Sequence, residues 1–339
     1  MTVLRAGLVG LGMMGRHHLR NLRALEGTVV VGVADPLGDP QGIASGLAVY
    51  TDVDSLLEQN LDYCVVAVPT DHHLTVGTKL AAAGVHALIE KPVAADSQSA
   101  ETLVRAFADR SLIGAVGHIE RFNPALLALK QRLDANELGD IYQVATRRQG
   151  PFPARIADVG VTKDLASHDI DLTSWLTGKN YVRVAANTAL KSGRAHEDMV
   201  ASTCMLSNGV MTSHVVNWLT PFKERSIAVT GENGTFVADT LTADLIYYEN
   251  ASALTEWDDI SHFRGVAEGN VTRYALTKSE PLRTEHQQFQ NAVNGDREAT
   301  IVTLEQGKRV VAVCEAMLES SLTGSSVELS INYDEVNRT

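Results

Sequence analysis

Between Val3 and Gly117 the chain alternates short apolar runs with stretches of helical character. The runs lie at 3–9, 28–34, 61–68, 85–89 and 112–117, and the helices at 13–25, around Leu56 and Leu57, at 72–83 and at 97–109. Parallel strands need a long crossover, and a helix is the usual one. This alternation therefore restricts the fold to a doubly wound parallel sheet with helices on its faces. Leu61 to Val68 is apolar without interruption, as expected of a central strand covered on both sides. Residues 36–50 are glycine-rich and read as irregular, with a short strand at 48–50. Ligands of such sheets bind outside the carboxyl ends of the strands. The residues that follow each run are thus the first candidates for chemistry.

After the first run comes Gly10-Leu-Gly12-Met13-Met14-Gly15. Gly10 permits a tight turn, Gly12 clears the approach of a pyrophosphate, and Gly15 lets the helix pack against the strand. The helix that opens at Met13 and Met14 offers free N–H groups and the positive end of its dipole to phosphates. The second run ends on Asp35, 20 residues beyond Gly15, where a carboxylate accepts hydrogen bonds from an adenosine ribose. Asp35 repels a 2′-phosphate, and Pro36 to Asp39 supply no cation to hold one. The cofactor expected is NAD rather than NADP. Later strand ends supply the remaining cofactor candidates: Val68, Pro69, Thr70, His73, Glu90 and Lys91. Lys91 could orient a nicotinamide or stabilise an oxyanion, or be an exposed lysine before a helix. His17, His18, His72 and His73 read as packing or surface residues rather than catalysts. The polar stretch His118 to Pro124 follows the fifth run.

A chain of 339 residues exceeds one typical core, so two domains are expected, 1–121 and 122–339. The second begins with a helix at 124–135 and continues as strands: 141–148, 182–190, 199–206, 210–218, 225–230 and 235–238. Asn208-Gly209 predicts a two-residue type I′ hairpin. Both faces of 199–206 carry apolar residues, so one is expected under helices and the other against a second subunit. Helices at 284–293 and 303–320 close the fold, and 332–339 reads as a frayed tail. The fold class is α/β: a parallel sheet domain, then an α+β domain with a large, mostly antiparallel sheet. A net charge of −12 argues against nucleic acid and against anionic membranes as partners. No apolar run reaches membrane-spanning length and no basic segment precedes an apolar h-region, so a cytoplasmic protein is expected. Cys64, Cys204 and Cys314 are few and scattered, which fits reduced thiols. Trp175, Trp218 and Trp257 read as core or interface.

Asp164 and His168 stand four residues apart on one helix, with Asp171 three further on. A neutral imidazole there suits a general base, and Asp171 could hold its other nitrogen; a capping Asp beside an ordinary helix His is the plainer alternative. One His among carboxylates is not a complete metal cage, so no metal site is expected. From Arg121 to Lys163 there are seven basic and four acidic residues in an otherwise acidic chain. Arg147, Arg148 and Arg155 bracket Gly150 to Pro153, and Arg favours phosphate and carboxylate partners; these can be a ligand's or the acidic residues of the chain itself.

Together these motifs resemble the glucose–fructose oxidoreductase, inositol dehydrogenase and MocA (GFO/IDH/MocA) family over nearly the whole chain. The resemblance rests on Gly10 to Gly15, Val68-Pro69 with His73, Glu90-Lys91-Pro92, Arg121-Phe-Asn-Pro124, and Asp164 with His168, Ile170 and Asp171. It implies a Rossmann domain, an NAD(P)-dependent sugar or cyclitol dehydrogenase, and Lys91, Asp164 and His168 as the catalytic group. It also implies a homodimer or homotetramer joined through the sheet of the second domain. Ala166 stands where the family often has Gly. His118 to Pro124 and Arg148 to Asp171 look like the branch of UDP-N-acetylglucosamine 3-dehydrogenases. That likeness implies a nucleotide-sugar substrate, oxidised at its 3-hydroxyl and held by Arg121, Asn123, Arg148, Arg155 and Lys163. A myo-inositol or simple sugar dehydrogenase and a catalytically idle NAD-binding regulator are the alternatives.

Overall fold

The computed structural model describes residues 3–152, 159–250 and 269–329. Arg155, Trp257 and the tail 332–339 lie outside them. The chain forms two compact units, 1–122 with 280–315, and 123–279 with 316–339. A single changeover after residue 121 therefore does not describe the chain. Glu280–Glu315, expected in the second part, belong to the first unit.

The first unit holds β1 (Leu4–Val9), α1 (Met13–Ala24), β2 (Thr28–Ala34), β3 (Val49–Tyr50), α2 (Val53–Leu57), β4 (Tyr63–Val66), α3 (His73–Ala82), β5 (His86–Glu90), α4 (Ser97–Ala108) and β6 (Gly114–Gly117). The six strands form one parallel sheet in the order β3-β2-β1-β4-β5-β6. The order reverses between β1 and β4, so the ligand crevice of such a sheet falls beyond Val9 and Val66. All four residues of β4 are buried, as its unbroken apolar run requires. The returning segment completes this core. Phe289 packs with Leu4, Leu8, Leu19 and Leu22, and meets Tyr63 edge to face at 5.5 Å. Val302, Leu304 and Val311 join the other cluster, with Ile89, Leu103 and Phe107.

The second unit holds α5 (Pro124–Asp134), β7 (Ile141–Pro151), a π turn (Thr162–Ala166), α6 (Ser167–Thr177), β8 (Tyr181–Ala189), β9 (Met199–Leu206), β10 (Met211–Asn217), β11 (Leu219–Gly231), β12 (Gly234–Asp239), β13 (Asp244–Glu249), β14 (Val271–Tyr274) and β15 (Val327–Glu328). Helices α7 (Pro281–Val293) and α8 (Leu304–Thr323) follow β14, and the unit boundary falls within α8. Nine strands make one sheet in the order β14-β13-β12-β11-β7-β10-β9-β8-β15. Only β7 and β10 run parallel; every other pair is antiparallel. The β9–β10 hairpin departs from the expected type I′ turn. Gly209 takes φ +85° but Asn208 does not turn left-handed, and Leu206 N–H reaches the Val210 carbonyl at 2.9 Å. The loop thus has three residues, with Gly209 in the left-handed position that follows a type I turn. All three cysteines are free and buried; burial pushes the Cys64 thiol up and the Cys204 thiol up to about 11. No described helix is long and apolar enough to cross a membrane.

Candidate active site

The glycine loop has the geometry its spacing implies. A Cβ on Gly10, which sits at φ +96°, would lie 2.4 Å from the Ala67 carbonyl oxygen at the end of β4. A Cβ on Gly15 would lie 2.0 Å from the Gly10 oxygen. At Gly12 a Cβ would meet nothing within 4 Å. Two glycines are therefore required by the protein's own backbone, and the third leaves open space at the N-terminus of α1. No side chain caps that helix and no acidic residue stands in its first turn, so its N–H groups and dipole face the opening. Asp35 accepts Leu11 N–H at 2.8 Å and Leu37 N–H at 2.8 Å, one on each oxygen. It ties the loop to the end of β2, and each oxygen can accept a further donor. The groups that would hold a dinucleotide fit one: a bare helix terminus, an unfilled glycine position and a carboxylate for the ribose.

Two buried side-chain systems hold the turn that carries Lys91. Glu90, the last residue of β5, accepts from His18 Nε2 at 2.8 Å and from Lys91 N–H at 3.1 Å. Burial opposes its ionisation, but the His18 hydrogen bond and charge and the nearby Lys91 bring its carboxyl below the usual range. His18 Nδ1 lies 2.9 Å from His286 Nε2 on α7. On the other side of Lys91, His73 Nδ1 lies 2.9 Å from the Pro92 carbonyl and Nε2 3.0 Å from the Val68 carbonyl. Burial pulls the His73 pKa down against both carbonyls. His73, a cofactor candidate by sequence, is thus an internal pin between the turns after β4 and β5. Thr70 is buried as well, whereas Val68, Pro69, Met13 and Met14 keep exposure near the open strand ends. His18, read as packing or surface, belongs to the support of Lys91; the distant His286 gave no local signal of that role.

In the second unit Asp164 lies in the π turn and His168 in the first turn of α6, both largely buried. Four residues that mix π and α geometry do not close one regular turn, which the expected plain helix spacing missed. π turns recur at functional sites. Glu197 caps the start of this helix from a distant loop: Thr162 N–H donates to Oε1 at 3.0 Å and Val161 N–H to its carbonyl at 3.0 Å. A Cβ on Gly160 would lie 2.1 Å from the Glu197 carboxylate, so Gly160 lets the carboxylate approach. Asp171 is buried.

Three of the substrate candidates have partners within the protein. Arg148, on the covered face of β7, donates from Nε to Asp169 at 2.7 Å, with both side chains 4% exposed. Arg121 is buried in the first unit and donates to Gln306 at 3.2 Å. Asn123 caps α5 by accepting Ala125 N–H at 3.0 Å and donates to the Thr240 carbonyl at 2.9 Å. These three hold the protein's own structure. Lys163, half-buried in the π turn, is the remaining described member of the set.

Comparison with known proteins matches this geometry. Residues 4–118 match the model of an oxidoreductase family with an NAD-binding Rossmann fold. Residues 126–237 match the GFO/IDH/MocA C-terminal domain. The UDP-N-acetylglucosamine 3-dehydrogenase of Acidithiobacillus ferrooxidans is 30% identical over 302 residues, 88% of this chain and 91% of that protein. Inositol 2-dehydrogenase 2 of Saccharopolyspora erythraea is 27% identical over 353 residues, 97% of this chain and 96% of that protein. A solved structure of UDP-N-acetylglucosamine 3-dehydrogenase GnnA from Acidithiobacillus ferrooxidans superposes with a TM-score of 0.83 at 27% identity, covering 94% of this chain and 98% of the other. With both halves matched and a parallel sheet whose glycine loop fits a dinucleotide, the chain belongs to the GFO/IDH/MocA family of NAD-dependent oxidoreductases.

Proposed function

We propose that this protein is a cytoplasmic NAD-dependent dehydrogenase that oxidises a ring hydroxyl of a sugar, the 3-hydroxyl of a UDP-linked N-acetylamino sugar being the first choice. The observation that carries the reading is Asp164 and His168 on a capped helix in a chain 30% identical to a UDP-N-acetylglucosamine 3-dehydrogenase. Lys91, Asp164 and His168 are the proposed catalytic group. Bound NAD supplies the acceptor for the hydride leaving the carbinol carbon. His168 takes the hydroxyl proton, Lys91 stabilises negative charge developing on that oxygen, and Asp164 orients the sugar or supports the base. Gly10, Gly12, Gly15 and Asp35 hold the cofactor.

A second reading, a free-polyol dehydrogenase, is favoured by one finding. Arg121 and Arg148 are spent on internal partners, which removes two of the cations proposed for a diphosphate. The full-length likeness to an inositol 2-dehydrogenase points the same way. NADH formation across a panel of UDP-sugars and free polyols decides between them. Lys91→Ala and His168→Ala should each lower turnover by about 10²–10⁴-fold while NAD still binds. Near-full activity in either variant sinks its assignment.

The open face of the nine-stranded sheet supports self-association. It presents Ala145, Ala201, Ser213 and Ala228, small residues that allow close approach, beside Met205, Met211 and Val215.

A further inference from the structure

The face of the large sheet that α6 covers is polar where an apolar surface would be expected. β7 turns Thr146 and Arg148 to it, and β10 turns Thr212 and His214, all buried. α6 answers with Asp169, 3% exposed and adjacent in sequence to His168. Arg148 Nε donates to Asp169 Oδ1 at 2.7 Å, and the Thr146 hydroxyl donates to Oδ2 at 3.1 Å. Having given its one proton, Thr146 must accept from His214 Nδ1–H, 2.8 Å away. His214 Nε2 is then an acceptor with one lone pair, 2.9 Å from the Tyr181 hydroxyl and 3.2 Å from the Thr212 hydroxyl. Burial pushes the His214 pKa down to about 4, so the ring is neutral and this one tautomer serves the chain. From His214 the hydrogen bonds run through Thr146 to the Asp169 carboxylate.

Such a lattice is a poor stabiliser. Burying an ion pair costs nearly what it returns, and apolar replacement of both partners is often neutral or better. What it supplies is uniqueness. An apolar helix face can pack on a sheet in neighbouring rotations; a helix whose Asp169 must meet both Arg148 and Thr146 cannot. The Glu197 cap fixes the same helix at Thr162. Asp164 and His168 lie between these two anchors.

We propose that Arg148, Asp169, Thr146 and His214 are positioning residues that set the rotation of the helix bearing His168. The proposal rests on the reading of His168 as the base. It replaces the substrate role of Arg148 with one acting through the helix.

Steady-state kinetics and thermal unfolding of the full chain test it, with the substrate that yields NADH in the panel. Asp169→Asn should lower kcat by about 10²-fold, the cost of a misplaced reacting group, with KM for NAD unchanged. The double variant R148M/D169L should regain the wild-type thermal midpoint but not its kcat. Thr146→Val keeps the ion pair but leaves His214 Nδ1–H without its acceptor. It should lower the midpoint by the few degrees an unpaired buried donor costs, and lower kcat with KM for NAD unchanged. Wild-type kcat in R148M/D169L, or in Thr146→Val should the double variant not fold, overturns the proposal. His168→Ala run in parallel separates the premises: an active His168→Ala defeats the reading of the base and this role with it. An inactive His168→Ala with a fully active R148M/D169L defeats the positioning role alone.

Discussion

Glu285 shows how much a single buried side chain can hide from sequence. It lies on α7 between Thr284 and His286, is 3% exposed, and neither carboxyl oxygen has a hydrogen-bond partner among the described residues. Burial first, and the nearby Glu90 charge second, push its pKa well above the ordinary glutamate range. The folded protein thus keeps a proton that the unfolded chain loses near 4.5, the ordinary glutamate value. Stability from this group is full below that value and falls as pH rises toward the native one. Glu285→Gln removes the titration. Its thermal midpoint relative to wild type should therefore be higher at pH 8 than at pH 5; a difference independent of pH contradicts the assignment. The glycine loop is the opposite case. Gly10, Gly12 and Gly15 announced their roles because the turn, the opening and the close packing are all set within a few residues of backbone.

Elements were legible where local signals agree. Asp96 accepts Ser99 N–H at 2.7 Å at the start of α4, and Asn123 with Pro124 opens α5, both readable as start signals. The cap makes a testable distinction for Asn123. Asn123→Ala should cost about 1 kcal/mol in urea denaturation, as lost caps do, and leave KM for the sugar unchanged. A raised KM with unchanged stability returns Asn123 to the substrate. Strands β13, β14 and β15 were not expected, because short runs such as Asp244–Glu249 form by pairing with neighbours rather than by their own pattern. The same holds for the lattice beneath α6. Thr212 and His214 alternate with Met211, Ser213 and Val215, and a period of two separates the faces without saying which is covered. Which set is covered is decided only when the sheet and α6 are in place.

Across the whole molecule, the open face of the nine-stranded sheet carries a prediction that the covered face does not. Ser213 lies on β10 opposite Thr203 of β9 and Ala145 of β7, near the middle of the sheet. If two copies meet there, Ser213→Arg buries a like-charged pair across the two-fold axis and should give monomers in sedimentation equilibrium. The monomers should keep the wild-type far-ultraviolet circular dichroism. An unchanged oligomer places the interface elsewhere. The sequence by itself determined the parallel sheet and its glycine-loop turn, which follow from periodicity, glycine spacing and residues close in the chain. Its motifs carry the resemblance to the family that the comparisons show. The tertiary structure alone decided that 280–315 return to the first core and that His286 and Glu285 lie in the same unit as Glu90. It also decided that Arg148 pairs with Asp169 on the covered face of β7. Those facts depend on partners brought together by burial across tens or hundreds of residues, and an arginine's partner is set by what the fold places within 3 Å of it.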